Sequence, residues 1–128
     1  MFKNYKSSNF NARNGYDTPD MIVLHYTGMK SAKAALEHLC DSKAEVSAHY
    51  VIQENGKTHH LVPDDKRAWH AGKSFWSGQT DINSASIGIE IVNPGHEFGY
   101  HEFPEKQINA VIKLCQKLME QYDISPAR

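Results

Sequence analysis

The amino-acid sequence predicts an α/β (α+β) domain, a single mixed central β-sheet flanked by helices. Two short apolar runs bounded by turn residues, Met21 to Tyr26 and Ser86 to Val92, read as buried strands. Asn55-Gly56 lies between candidate strands at Ala48 to Gln53 and Thr58 to Val62, the pairing expected of a tight hairpin whose turn needs positive φ. Two further stretches, Ser31 to Cys40 and Pro104 to Tyr122, repeat apolar residues at helical spacing. Strands interleaved with helices in this order pack helices on a sheet. At 128 residues the chain is one domain with one modest core.

The elements follow in order. Residues 1–19 are rich in Asn, Ser, Lys and Gly and read as an irregular arm, leaving 20–128 as the folded domain. Asp17-Thr18-Pro19-Asp20 is turn chemistry, since Pro19 disfavours helix at Thr18. The first strand ends in His25 and Gly28. The first helix places Ala32, Ala35, Leu36 and Leu39 on one stripe. From Pro63 to Asn83 the chain reads as loop and carries both tryptophans, Trp69 and Trp76. Asn93-Pro94-Gly95 closes the last strand. Pro104 suits a first helical turn, and the stripe behind it is Ile108, Val111, Ile112, Cys115, Leu118, Met119 and Tyr122.

Composition removes several function classes. Fourteen Lys and Arg against fifteen Asp and Glu give a formal charge of −1, without the basic excess of a nucleic-acid binder. The longest aliphatic run, Met21 to Leu24, is far short of the roughly 20 residues of a membrane span. The first twenty residues have no apolar signal region, which favours a cytoplasmic location and leaves a periplasmic one as the alternative. Cys40 and Cys115 fall in apolar helical stretches and read as buried thiols. Eight histidines are many for this length, and His is both the commonest metal ligand and a common general base.

Position sorts these residues. In Ser86-Ile87-Gly88-Ile89-Glu90-Ile91 the three isoleucines share one face, so Glu90 projects from the other, beside a glycine that leaves room. A carboxylate in a strand of this kind is either an edge residue facing water or a cleft group acting as general base. His25 ends the first strand, where α/β folds place their sites. It reads as a metal ligand or a satisfied structural His. His49 lies mid-strand. His70, in Ala68-Trp69-His70-Ala71-Gly72, belongs to a loop able to bind a ligand ring, although a Trp capping the core is the commoner case. The adjacent His59 and His60 read as surface strand residues, and His38, His96 and His101 have no supporting context.

Four segments taken together resemble a known family. Val23-Leu24-His25-Tyr26-Thr27, Val46-Ser47-Ala48-His49-Tyr50, Ala68-Trp69-His70-Ala71-Gly72 and Asn83 through Glu90 match N-acetylmuramoyl-L-alanine amidases in order and spacing. The match is closest to the AmpD-like branch, which shares an ancestral fold with phage amidase-type lysozymes and the peptidoglycan recognition proteins. The resemblance covers residues 20–128. It implies a zinc hydrolase that cuts the amide between N-acetylmuramic acid, ordinary or 1,6-anhydro, and the L-alanine of peptidoglycan stem peptides. It also implies His25 as a zinc ligand and Glu90 as the catalytic carboxylate. His70, Trp69, Trp76 and Asn83 are implied as loop residues against the peptidoglycan fragment or muropeptide. The family draws two further zinc ligands, a His and an Asp, from a segment past the long helix. The 128 residues stop where that segment begins, at Ile124 to Arg128. The remaining ligands are therefore expected beyond residue 128. The other reading is a non-catalytic peptidoglycan-binding module, which would need neither His25 nor Glu90.

Overall fold

The structure, a computed structural model, describes residues 5–15, 18–27, 29, 31–71, 81–93 and 103–125. Six strands and three helices alternate along them: β1 (Phe10–Ala12), β2 (Met21–Tyr26), α1 (Ala32–Cys40), β3 (Tyr50–Ile52), β4 (Thr58–His60), β5 (Lys66–Ala68), α2 (Ile82–Ala85), β6 (Ser86–Ile91) and α3 (Glu105–Tyr122). The central sheet has the order β2-β6-β3-β4. Strand β6 runs parallel to both β2 and β3, and β4 closes antiparallel on β3 through the Asn55-Gly56 turn. The sheet is therefore mixed, with helices on its faces, as the sequence predicts.

Each face of the sheet has its own core. Leu36 and Leu39 of α1 pack with Ala48, Val51, Leu61 and Val62 on one side. On the other, Val111 and Leu118 of α3 pack against Ile52, Ile87, Ile89 and Ile91. The three isoleucines of β6 thus face α3, and Glu90 belongs to the α1 side. Ser31 caps α1 by accepting a hydrogen bond from the Ala34 amide at 3.1 Å. Both cysteines are partly buried. No helix among the described residues is long and apolar enough to cross a membrane.

Four sequence expectations change. The N-terminal arm is not wholly irregular, because β1 pairs antiparallel with β5 inside the stretch read as loop. Arg13 behind it donates to the backbone carbonyls of Asp64, Ser84 and Ser86 at 2.7–2.9 Å, which pins the arm across the sheet end. Strand β2 is an outer strand with Leu24 and Tyr26 about half exposed, not a buried one. Helix α3 starts after Pro104, and its buried stripe is rotated from the expected one. Ile112 is 48% exposed while Gln107 is fully enclosed. The physical reason is that Gln107 Nε2 donates to the carbonyls of Ile52 and Val92, both at 3.0 Å, satisfying two strand-end acceptors that no apolar residue could. Finally, His59 is buried beneath the Tyr5 ring of the arm and bonded to Gln53, whereas His60 stays exposed and stacks on Tyr50.

A candidate active site on the α1 face of the sheet

Parallel pairing of β2 with β6 sets His25 directly opposite Glu90. Register partners in a pleated sheet point to the same face, so the imidazole and the carboxylate emerge side by side. Strand β6 lies between β2 and β3, so Glu90 is a central-strand residue, and the edge-strand alternative does not hold. Its carboxyl is half-buried, and burial pushes its pKa up to about 7. His25 is shifted the other way by the same cause, which holds its ring neutral.

His70 lies against Gly88 and beside His25. A Cβ placed on Gly88 would lie 2.5 Å from the His70 ring carbons, so the imidazole rests on the strand where a side chain is missing. The bareness of Gly88 therefore admits His70, rather than opening room beside Glu90. His70 Nδ1 lies 3.2 Å from His25 Nε2, and its Nε2 lies 2.9 Å from Ser86 Oγ. Burial, with His49 and His25 adding to it, keeps the His70 ring well below the ordinary histidine pKa. His49 is fully buried; its Nδ1 accepts from the Gly88 amide at 3.0 Å and its Nε2 donates to the Lys66 carbonyl at 2.7 Å. Burial lowers its pKa to about 4. It is a structural histidine that ties β5 and β6 together.

The loop over the site is held by two residues. Asn83 Oδ1 accepts from the amides of His70 and Ala71 at 3.0 and 2.8 Å. Ser47 exchanges hydrogen bonds with the Trp69 backbone, both at 2.9 Å, and is itself bonded to the Asn9 carbonyl. Ser47 lies within the Val46 to Tyr50 motif, and nothing local in the sequence marks it as a loop anchor. The Trp69 indole N–H reaches Asn11 Oδ1 at 3.2 Å. A cleft of about 210 Å³ opens beside this loop, walled by Trp69, His70, Glu90, Thr27, Met29 and His38. His38, which has no supporting context in the sequence, lines this cleft from α1. Trp76, His96 and His101 lie outside the described residues.

Among the described residues no group of three or more His, Cys, Asp or Glu is placed to share a metal ion. The His25 ring, held toward its neutral form by burial, contacts His70 through Nε2, and among those residues no hydrogen bond reaches its Nδ1. The described side chains thus set one imidazole in register with one carboxylate of raised pKa.

A two-sided sheet carries an imidazole and a carboxylate of raised pKa in register beside an aromatic loop, an α+β arrangement with a cleft on its α1 face. Residues 15–128 match the family model described as N-acetylmuramoyl-L-alanine amidase, and the chain belongs to that family. It is 35% identical over 127 residues to the N-acetylmuramoyl-L-alanine amidase AmiD of Escherichia coli, covering 90% of this chain and 45% of that protein. It is 28% identical to the 1,6-anhydro-N-acetylmuramyl-L-alanine amidase AmpD of Escherichia coli, over 95% of this chain and 80% of that one. The chain therefore spans less than half the length of the first of these relatives. Among solved structures, a selenomethionine AmpD derivative superposes with a TM-score of 0.79 at 25% identity, covering 92% of this chain and 73% of that one. A complex of Escherichia coli AmiD with the substrate anhydro-N-acetylmuramic acid-L-Ala-D-gamma-Glu-L-Lys gives 0.73 at 30% identity, covering 94% and 55%.

Proposed function

We propose that this domain hydrolyses the amide between N-acetylmuramic acid and the L-alanine of peptidoglycan stem peptides, on soluble muropeptides or wall fragments. The observation that carries the reading is the register pair of His25 and Glu90, with Glu90 lining a cleft walled by Trp69 and His70. Family membership and the muramyl-peptide substrate in the AmiD complex support it. His25 would hold a zinc ion together with further ligands that the described residues do not supply. Zinc, when bound, supplies a Lewis acid for the amide carbonyl and lowers the pKa of water toward 7.

The chain's own residues do the rest. Burial pushes the metal-free Glu90 carboxyl up to about 7, a carboxyl suited to take a proton from an attacking water and return it to the leaving amine. The buried side of that carboxylate strengthens its local field. Trp69 presents an apolar wall suited to a sugar or peptide face. Asn83 acts indirectly, by holding the backbone that carries Trp69 and His70.

A second reading, a non-catalytic binder of the same ligands, draws on the absence of a three-ligand cluster among the described residues. Incubating the zinc-loaded protein with a muramyl peptide, followed by mass spectrometry, separates the two. Free stem peptide supports the amidase; bound but unaltered ligand overturns it in favour of the binder.

A further inference from the structure

His25, His70 and Ser86 form a chain of hydrogen bonds whose direction can be settled by counting protons. Ser86 is fully buried, and its Oγ lies 2.7 Å from the Ile82 carbonyl, which can only accept. The single hydroxyl hydrogen is thereby committed to Ile82. At the 2.9 Å contact with His70 Nε2 the hydroxyl must accept, so His70 carries its proton on Nε2. No carboxylate among the described residues is bonded to His70, whose neighbouring rings are His25 and His49, with centroids at 5.4 and 6.2 Å. A neutral ring protonated on Nε2 has a bare Nδ1. At the 3.2 Å contact with that atom His25 Nε2 must in turn be the donor. That leaves His25 Nδ1 as its unprotonated nitrogen.

We propose that His70 and Ser86 are positioning residues that lock His25 as its Nε2–H tautomer and so make Nδ1 its ligating nitrogen. The proposal rests on the reading of His25 as a metal ligand. It gives a purpose to three features the bare site does not explain. Gly88 is a glycine because any Cβ would displace the His70 ring. Asn83 fixes both amides flanking that ring's attachment. Ser86 is polar at a position with no access to water, and its hydroxyl bonds only within the chain. Metal-ligating histidines generally donate their second N–H to a fixed acceptor, which sets ring orientation and raises ligand basicity. Here the acceptor is a second imidazole, and the chain terminates on a backbone carbonyl.

The test begins with the intact protein freed of metal. Long-range proton–nitrogen correlation spectra of the labelled protein should show both His25 and His70 protonated on Nε2. His25 protonated on Nδ1 would overturn the proposal. Ser86→Ala should turn His70 and then His25 into tautomer mixtures, and His70→Phe should do so for His25. Zinc affinity, read by competition with a chromogenic chelator, should fall roughly 10–100-fold in both variants. Unchanged affinity together with an unchanged His25 tautomer in folded variants would also overturn it. If the wild-type protein shows the stated tautomers yet takes up no zinc, the metal reading of His25 fails while the hydrogen-bond lock stands.

Discussion

Replacing Glu90 by Gln separates the cost of holding this carboxylate from its use. In the metal-free protein the carboxyl titrates near pH 7 instead of 4.5, because burial disfavours the charged form. Below pH 4.5 the group is protonated in both folded and unfolded chains and costs nothing. As pH rises from 4.5 to 7 the unfolded chain releases its proton first, so folding stability declines, and the full penalty is present above pH 7. A shift of that size corresponds to at most about 3.5 kcal/mol at roughly 1.4 kcal/mol per unit. The open side of the cleft screens the carboxylate, which brings the expected value to the order of 1–2 kcal/mol. Glu90→Gln should therefore match the wild type in urea denaturation at about pH 4 and exceed it at about pH 8, with chelator present throughout. The same variant, zinc-loaded, should lose roughly 10²–10⁴-fold in amide hydrolysis. Equal stability at the higher pH would show that the carboxylate carries no desolvation penalty. Near-normal turnover would remove Glu90 from the chemistry.

Three further outcomes follow from the same geometry. Gly88→Ala forces a methyl into the His70 ring and should destabilise the fold by about 1–3 kcal/mol in denaturant titration; an unchanged midpoint would show that the ring has somewhere else to go. Asn83→Ala leaves the amides of His70 and Ala71 without their acceptor, so these two should exchange with deuterium far faster than β6 amides, and equal protection would refute the anchoring role. The buried histidines act opposite to Glu90: because the His49 pKa is lowered to about 4, the unfolded chain takes up the proton first as pH falls below 6.5, and stability is lost between 6.5 and 4. In the Glu90→Gln background, where the opposing carboxylate is gone, that loss should appear as a falling urea midpoint over the same window, and a flat profile would contradict it.

The elements legible in the sequence are those whose signals are local. Strands β2 and β6, the Asn55-Gly56 hairpin and the Ser31-capped helix each declare themselves within a few residues, and the structure has all four. What local pattern misjudged are choices made by distant partners. Strand β1 exists only because β5, more than fifty residues away, offers an edge, and neither segment carries a strand pattern of its own. The stripe of α3 is rotated because Gln107 meets two strand-end carbonyls that no periodicity in the helix could reveal. His59 is buried by Tyr5 from an arm whose composition reads as surface.

The site shows the same division. Parity alone puts Glu90 opposite the isoleucines, and the position of His25 at a strand end marks it as a candidate. Their meeting in register depends on β2 and β6 being neighbours, which follows from topology rather than from either segment. Gly88 is the sharper case. On Glu90's face and two residues away, it reads as space left for the carboxylate, yet His70 from a loop eighteen residues earlier occupies that space. Two neighbouring positions of one strand face thus do opposite jobs. Gly88 admits an imidazole that closes the site from within and joins His25 to Ser86, while Glu90 stays at the open mouth with Thr27, Met29 and His38. A larger residue at 88 would push His70 outward into that mouth. A single methyl there should therefore disturb both the orientation of His25 and access to Glu90.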